Sequence, residues 1–331
     1  MATIRDVARE AGVSVATVSR VLNNPQIVRD STRARVEGAI KKLRFHPDPT
    51  ARRLSIGRTF TISVMMPFLT RPSFVERLRG IEAALSHSAY DLVVSNVETM
   101  AKRDDYYDAL IRERRFDGAI VMALKPRDAE AEALAATGVA VVLVDTTHPV
   151  LSSIDVDDVE GGRIAARHLL ERGHRRIAFV GNREYEFYFH SVEERLQGFV
   201  EVLEEAGVSL TEENEFWIPY SRREARHIVD RLLERPIEEC PTAVFATSDT
   251  TALGLLDGLR QHDLTAPDDL AVIGFDDLEI AELYDLTTIH QPLFQSGARA
   301  VEYLLTQLET NTSPSVQQFL LPLTLIPRGT T

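Results

Sequence analysis

From residue 59 onward, short apolar runs alternate with stretches whose apolar residues recur at helical spacing. The runs 61–67, 90–96, 118–123 and 139–145 read as strands, and 74–87, 102–114 and 129–136 read as helices between them. A second series starts near Asp157. It runs helix 161–172, strand 175–181, helix 192–205, a short extended piece FWIPY, helix 222–234, strand 242–247, helix 250–261, strand 270–275 and helix 292–308, with QQFLLPLTLIPR as an extended finish. A repeated βα order predicts a parallel sheet covered by helices on both faces. Two such series predict an α/β body of two similar lobes.

The first sixty residues contain no strand pattern. Ile4, Val7, Ala8 and Ala11 share one helical face, with Thr3 as N-cap and Asp6 placed to return the capping bond. Gly12 suits a left-handed turn and Val13 points inward. Ser14 caps a second helix, 15–22, that buries Val18, Val21 and Leu22. Two short helices joined through a glycine are helix-turn-helix arithmetic. Ser31 is placed to cap a third helix, packed through Val36, Ala39, Ile40 and Leu43. Pro47 and Pro49 then break the helix, and residues 50–55 make a turn and a half, too short to be stable alone.

Charge sharpens the division. The 331-residue chain carries a net charge of −13, yet residues 1–58 hold twelve Lys/Arg against five Asp/Glu. A basic head on an acidic body is expected if only the head meets phosphate. In a helix-turn-helix the start of the second helix enters the major groove. Arg20 can pair bidentately with guanine, and Val15 and Ala16 can touch thymine methyls. Thr17, Ser19 and Asn23 suit phosphate oxygens. Arg52 and Arg53 suit phosphate or the minor groove. Leu54, apolar on a basic linker, suits a wedge between base steps. With Thr3, Ser14 and Ser31, these residues form the expected set that contacts double-stranded DNA. The alternatives are a small helical pair without DNA and a plain interdomain linker.

TIRDVAREAGVSVATVSRVLN, the third helix and the ARRL segment together resemble the LacI–GalR family of bacterial transcription regulators. Later segments follow the same order: VEGGRIAARHLLERGHRRIAFVG, RLQGFVEVLEEAG, PTAVFATSDTTALGLLDGLR, LAVIGFDDLEIAELYDLTTIHQP and LIPRG. The resemblance covers nearly the whole chain. It implies a homodimer reading a near-palindromic operator, with paired hinge helices that fold on DNA and insert Leu54. It implies a type I periplasmic-binding-protein-like body whose chain crosses between lobes near 156–158, 288–292 and 315–319. The expected division is 1–46 for the head, 47–58 for the linker with its hinge helix, and 59–331 for effector binding and dimerisation. Within the body, 59–157 with 291–316 form the N-lobe, and 158–290 with 317–331 form the C-lobe.

Ligands of open parallel sheets sit beyond the carboxyl ends of strands, and a lobe interface is a favoured pocket. Arg195 and Asp276 match the family's arginine and aspartate that hold effector polar groups; the alternative is a structural ion pair. Ser248 and Asp249 follow a strand, and Asp249 either contacts ligand or caps the next helix through Thr251 and Ala252. Gln291 divides between the same two roles. His290 reads as packing and Asp277 as a turn residue. Tyr185, Phe187, Tyr188, Phe189 and His190 crowd one strand-end loop, where they either stack on a ligand or pack over the lobe. Phe74 is a further stacking candidate, and Trp217 is one with core as its alternative. The effector set is therefore Phe74, Phe187, Arg195, Ser248, Asp249, Asp276 and Gln291.

Other classes fit less well. The sequence holds no G-x-S-x-G elbow, phosphate-loop GK[ST], strand-borne G-x-G-x-x-G or H-E-x-x-H. Asp155, Asp157 and Asp158 are better explained by helix N-terminal placement than by a cation, and neither cofactor nor metal is expected. A single cysteine, Cys240, excludes an internal disulfide. No run is long enough to cross a bilayer, and the early charges Arg5, Asp6, Arg9 and Glu10 oppose a secretory core, so a cytoplasmic location is expected. PRGTT carries no heptad pattern, which speaks against a coiled-coil tetramer. The expectation is a non-enzymatic repressor released from its operator by an effector, with a sugar first and a purine or other metabolite second. The competing readings are corepressor logic, an exported or free-standing sugar-binding protein, and an enzyme sharing the lobe fold.

Overall fold

The computed structural model describes residues 2–46, 58–113, 115–183, 187, 189–310 and 315–331. The chain divides into two compact units, 1–59 and 60–331.

The head contains α1 (Ile4–Ala11), α2 (Val15–Asn23) and α3 (Asp30–Leu43). Thr3 and Asp6 form a reciprocal capping box on α1, Gly12 closes it at φ 62°, and the Ser14 hydroxyl accepts from the Thr17 amide at 3.1 Å on α2. These caps occupy amides that the first helical turn leaves without partners. Val7, Ala8, Ala11, Val18, Val21, Val36 and Ala39 are buried together, with Val13, Leu22, Ile40 and Leu43 around them. Ser31 does not cap α3. The helix starts two residues earlier, at Asp30, so that Ser31 lies inside the first turn, and Arg29 at the N-cap makes no side-chain capping bond. Asp30 puts a carboxylate at that helix end, which favours negative charge, and pairs with Arg33 at 3.0 Å.

The body holds two six-stranded sheets. The N-lobe sheet contains β1 (Thr61–Met66), β2 (Asp91–Asn96), β3 (Gly118–Met122), β4 (Ala140–Val144), β5 (Ser152–Val156) and β11 (Gln318–Leu321), in the order β11-β5-β4-β3-β1-β2. The C-lobe sheet contains β6 (Ile177–Asn182), β7 (Glu215–Ile218), β8 (Ala243–Ala246), β9 (Ala271–Asp276), β10 (Thr287–His290) and β12 (Thr324–Ile326), in the order β12-β10-β9-β8-β6-β7. The N-lobe helices are α4 (Pro72–Leu85), α5 (Met100–Arg112), α6 (Asp128–Thr137) and α12 (Leu293–Thr310). The C-lobe carries α7 (Asp158–Glu171), α8 (His190–Glu205), α9 (Arg222–Leu233), α10 (Asp249–Gln261) and the short α11 (Glu279–Leu283). The central strands are buried along their whole length, as sheets covered on both faces require.

Two strands, β5 and β10, were not legible as apolar runs, because SSIDV and TTIH are rich in polar residues. The third crossing also differs from expectation. β11 pairs in parallel with β5, Gln318 opposite Ser153 and Leu321 opposite Val156, while β12 pairs antiparallel with β10. The chain therefore passes between lobes at 322–323 rather than 315–319, and the N-lobe reaches residue 321.

Close helix crossings set the position of the helix after each lobe's first strand. A Cβ on Gly80 of α4 would overlap the Phe294 carbonyl of α12, and one on Gly198 of α8 would overlap the Val159 carbonyl of α7. Three residues before these glycines stand Arg77 and Arg195.

Candidate functional site

On the head, Val15, Ala16 and Arg20 are exposed on α2, and Thr17 and Ser19 are half-buried. Among the described residues Arg20 makes no ion pair, whereas Arg9 pairs with Asp6, Arg33 with Asp30 and Lys42 with Glu10. The exposed face of α2 thus presents small apolar and hydroxyl side chains in its first turn and one unneutralised guanidinium, Arg20, in its last. Arg52, Arg53 and Leu54 lie outside the described residues, as does the side chain of Asn23.

In the body, the carboxyl ends of β1, β4, β6, β8 and β9 converge on a cavity of about 70 Å³ between the lobes. Its lining includes Phe74, Arg195, Ser248, Asp276 and Gln291 from the expected set. It also includes Phe189 of the aromatic loop, and Arg71, Arg77, Asp145, Asn182 and Tyr220, which lie outside the expected effector set. A second cavity of about 80 Å³ shares Asp145, Phe189 and Ser191 with it and adds Lys125, Asp155, Asp158 and Glu194. Non-glycine residues with positive φ gather at these strand ends: Phe68, Ala123, Asp145, Asp276 (φ 117°) and Asp277. Strained backbone clusters where a fold holds a site in place.

Arg195 is buried and committed within its own lobe. Its Nε donates to Asp158 at 2.7 Å, Nη1 donates to the Thr247 carbonyl at 2.8 Å, and the guanidinium lies 3.6 Å from the centre of the Phe275 ring. Its ion-pair partner is therefore Asp158, not Asp276. Asp276 accepts from Gln291 Nε2 at 2.5 Å. Burial pushes the Asp276 carboxyl up to about 6, against the opposing pull of Arg195. Arg77 reaches the second crossing between the lobes: Nη2 donates to Asp145 at 2.8 Å and to Gln291 Oε1 at 3.1 Å. Gln291 lies just after β10, on the second crossing, so Asp145, Arg77, Gln291 and Asp276 form one continuous polar chain. Asp155, lining the second cavity, is pushed up to about 8 by burial and then by Asp145 and Asp158.

Two expected contacts lie elsewhere. Asp249 is fully buried and does not line either cavity. Its oxygens accept from Thr288 Oγ1 at 2.6 Å and from the Leu278 amide at 2.7 Å, which ties β10 and the loop after β9 to α10. The cap of α10 is Ser248, whose hydroxyl accepts from the Thr251 amide at 3.2 Å. Phe187 packs into the N-lobe core and meets Phe68 edge-on, ring centres 5.7 Å apart. Phe189 also packs on Phe68 and reaches the cavity wall. These two rings from the β6–α8 loop therefore pack over the opposite lobe. Tyr185 and Tyr188 lie outside the described residues. His290 and Asp277 pair at 3.1 Å, and Asp277 also holds Arg328. Trp217 packs on the C-lobe core, with its Nε1 donating to Glu215.

A three-helix head with an exposed second helix, followed by two duplicated parallel-sheet lobes around a polar cleft, defines a DNA-binding regulator with a sensor body. Comparison with known proteins agrees. Residues 3–48 match the family described as bacterial regulatory proteins, lacI family, and residues 166–331 match the periplasmic binding protein-like domain. The HTH-type transcriptional repressor PurR of Vibrio vulnificus is 34% identical over 317 residues, covering 93% of this chain and 92% of the relative. The ribose operon repressor of Escherichia coli K12 is 32% identical, covering 99% of both chains. A solved Lac repressor dimer, bound to operator and an anti-inducer, superposes with a TM-score of 0.84 at 27% identity, covering 99% of this chain and 98% of the other. The chain belongs to the LacI family. It is a DNA-binding transcriptional repressor governed by a small-molecule effector, and not an enzyme. Among the described residues no helix is long and apolar enough to cross a membrane.

Proposed function

We propose that this repressor binds a near-palindromic operator as a homodimer in the cytoplasm and is released when a sugar-class effector occupies the cavity between the lobes. The observation that carries the effector site is the meeting of Arg195, Asp276, Gln291, Ser248 and Phe74 in one cavity at converging strand ends. Polar groups beside a ring are the usual means of holding a polyhydroxylated ligand. The bound effector draws the two lobes together, and segment 47–58 transmits that change to the heads. Release needs only a modest coupling, about 1–3 kcal/mol. The homodimer is supported by an open groove lined by Val75, Ile280 and Leu283, with Leu283 81% exposed. Corepressor logic reverses the sign and leaves the site unchanged. A nucleobase is the second reading, favoured by the rings of Phe74, Phe189 and Tyr220 around the cavity.

A mobility-shift titration of the full chain on its own upstream DNA tests this reading. Selective, salt-sensitive retardation is expected, and one of a panel of sugars, phosphosugars and purines should relieve it. Arg20→Ala should relax sequence choice at one operator position by about 1–3 kcal/mol. Equal loss on all DNA would remove Arg20 from base reading. Absence of selective retardation would remove the repressor mechanism.

A further inference from the structure

Arg77 occupies the buried stripe of α4, in register with Phe74, Gly80, Ile81 and Leu85. That stripe calls for an apolar residue, because burying a guanidinium is costly unless every donor is matched. Arg77 is only 3% exposed, and its donors are not all matched. Nη2 serves Asp145 and Gln291, while Nε has no hydrogen-bond partner. Among the described residues, only three buried side-chain nitrogens lack a partner: Arg77 Nε, Asn182 Nδ2 and Arg226 Nε. Two of the three belong to residues lining the same cavity, one from each lobe. Asn182 is tethered through its oxygen, which accepts from Ser248 and Thr251, so its amide nitrogen is the end left for another partner.

The two orphan groups are both donors, and each needs an acceptor. Asp145 and Asp276 each already take one such bond at a single oxygen, from Arg77 and from Gln291, and keep the other oxygen for hydroxyl donors. A hydroxyl could accept from one donor but brings a proton that needs its own acceptor. A carboxylate accepts at both oxygens and brings no proton, and it bonds arginine more strongly than a neutral group does. The charge in the lining permits one. Arg71, Arg77 and Arg195 face Asp145 and Asp276, with Asp158 behind Arg195. The adjoining cavity, with Asp145, Asp155, Asp158 and Glu194 around Lys125, is the acidic one and suits hydroxyl donors.

We propose that Arg77 and Asn182 are specificity-determining contacts for an acceptor-only group, so that the effector is a sugar acid rather than a neutral sugar. This rests on the reading of the cavity as the effector site. The guanidinium anchors the carboxylate from the N-lobe, Asn182 supplies a donor from the C-lobe, and the hydroxyls of the ligand face Asp276 and the acidic cavity. The rival occupant for Nε is a single water, since a void of about 10 Å³ lined by Arg77, Val144, Ile154 and Gln291 is near the minimum for one.

The test is calorimetry on the full chain with matched pairs: gluconate and glucose, galacturonate and galactose, ribonate and ribose. At least one acid should bind about ten-fold or more tightly than its neutral counterpart, the scale of one unmatched buried donor. Arg77→Met and Asn182→Leu should bring the pair to within about three-fold. Arg77→Lys keeps the charge beside Asp145 but lacks the Nε donor and the fork, and should lose most of the preference. Arg79→Met, on the exposed side of α4, should keep it. The proposal is overturned if neutral sugars bind as well as acids, if no acid in the panel binds, or if the preference survives both Arg77 variants, as a water-satisfied Nε requires. In those cases operator release by a neutral sugar or a purine leaves the repressor mechanism standing, and its own failure is read separately in the mobility shift.

Discussion

The two lobes repeat one design and spend it differently. Each has a sheet of the same strand order, and in each the helix after the first strand bears a matching segment, RLRGI at 77–81 and RLQGF at 195–199. Each glycine lets a neighbouring helix approach, and each arginine faces the cleft beside a strand-end aspartate, Asp145 or Asp276, with positive φ. The arginines then diverge. Arg195 commits Nε to Asp158 and Nη1 to the Thr247 carbonyl, with its guanidinium on the Phe275 ring. Arg77 bridges to Asp145 and Gln291 and retains an unmatched donor. Duplication supplies a common backbone address, and the surrounding side chains decide whether the group there holds its lobe together or waits for a ligand.

The sharpest way to break this contrast is to remove the arginine paired within its own lobe. Arg195→Met leaves the Asp158 carboxylate buried without its counter-ion, so urea unfolding should show a loss of about 3–5 kcal/mol. Adding Asp158→Leu should restore much of it. A loss below about 1 kcal/mol would mean that Arg195 is no anchor. Next come the paired glycines. Gly80→Ala and Gly198→Ala should each cost about 1–3 kcal/mol or more by forcing helices apart, and similar values would support equivalent packing in the two lobes. If only one variant is destabilised, the repeat is one of sequence alone.

A graded effect concerns pH. Asp155 is held protonated by burial, with its carboxyl raised to about 8, and so favours the folded state most at low pH. That contribution is present below the unfolded value of about 4 and is lost as pH rises toward 8. Asp155→Asn should therefore gain stability over the parent progressively from pH 4 to 8, at no more than about 1.4 kcal/mol per pH unit, as thermal melts at stepped pH would show. A constant difference across that range would place the carboxyl in ordinary solvent.

Much of this arrangement was legible from residue pattern. The central strands are continuous apolar runs because both sheet faces are covered, and Thr3, Gly12 and Ser14 carry the chemistry of helix ends. Strand-end logic joined to the family resemblance reached Arg195, Asp276, Ser248 and Gln291, since carboxyl ends point toward the cleft. It misplaced Asp249, because a residue at a strand end can turn inward as readily as toward a ligand, and here Thr288 and Leu278 claim both oxygens. β5 and β10 escaped because short polar strands lack an apolar signature. Arg77 escaped because a basic residue on an amphipathic helix resembles any surface cation. The available signal was its position in the apolar stripe and its echo in the second RLxG segment.

Gln291 links the two halves at an unusual point. It receives from Arg77 on one side and donates to Asp276 on the other, and it stands on one of the three strands that pass between the lobes. Three neighbouring tethers restrict two rigid plates chiefly to bending about a common axis. A side chain on that axis travels least when the plates swing, so it serves as a fixed datum from which each plate's displacement is measured. Ligand contacts far from the axis act as the long arm of a lever, and those at Gln291 as its fulcrum.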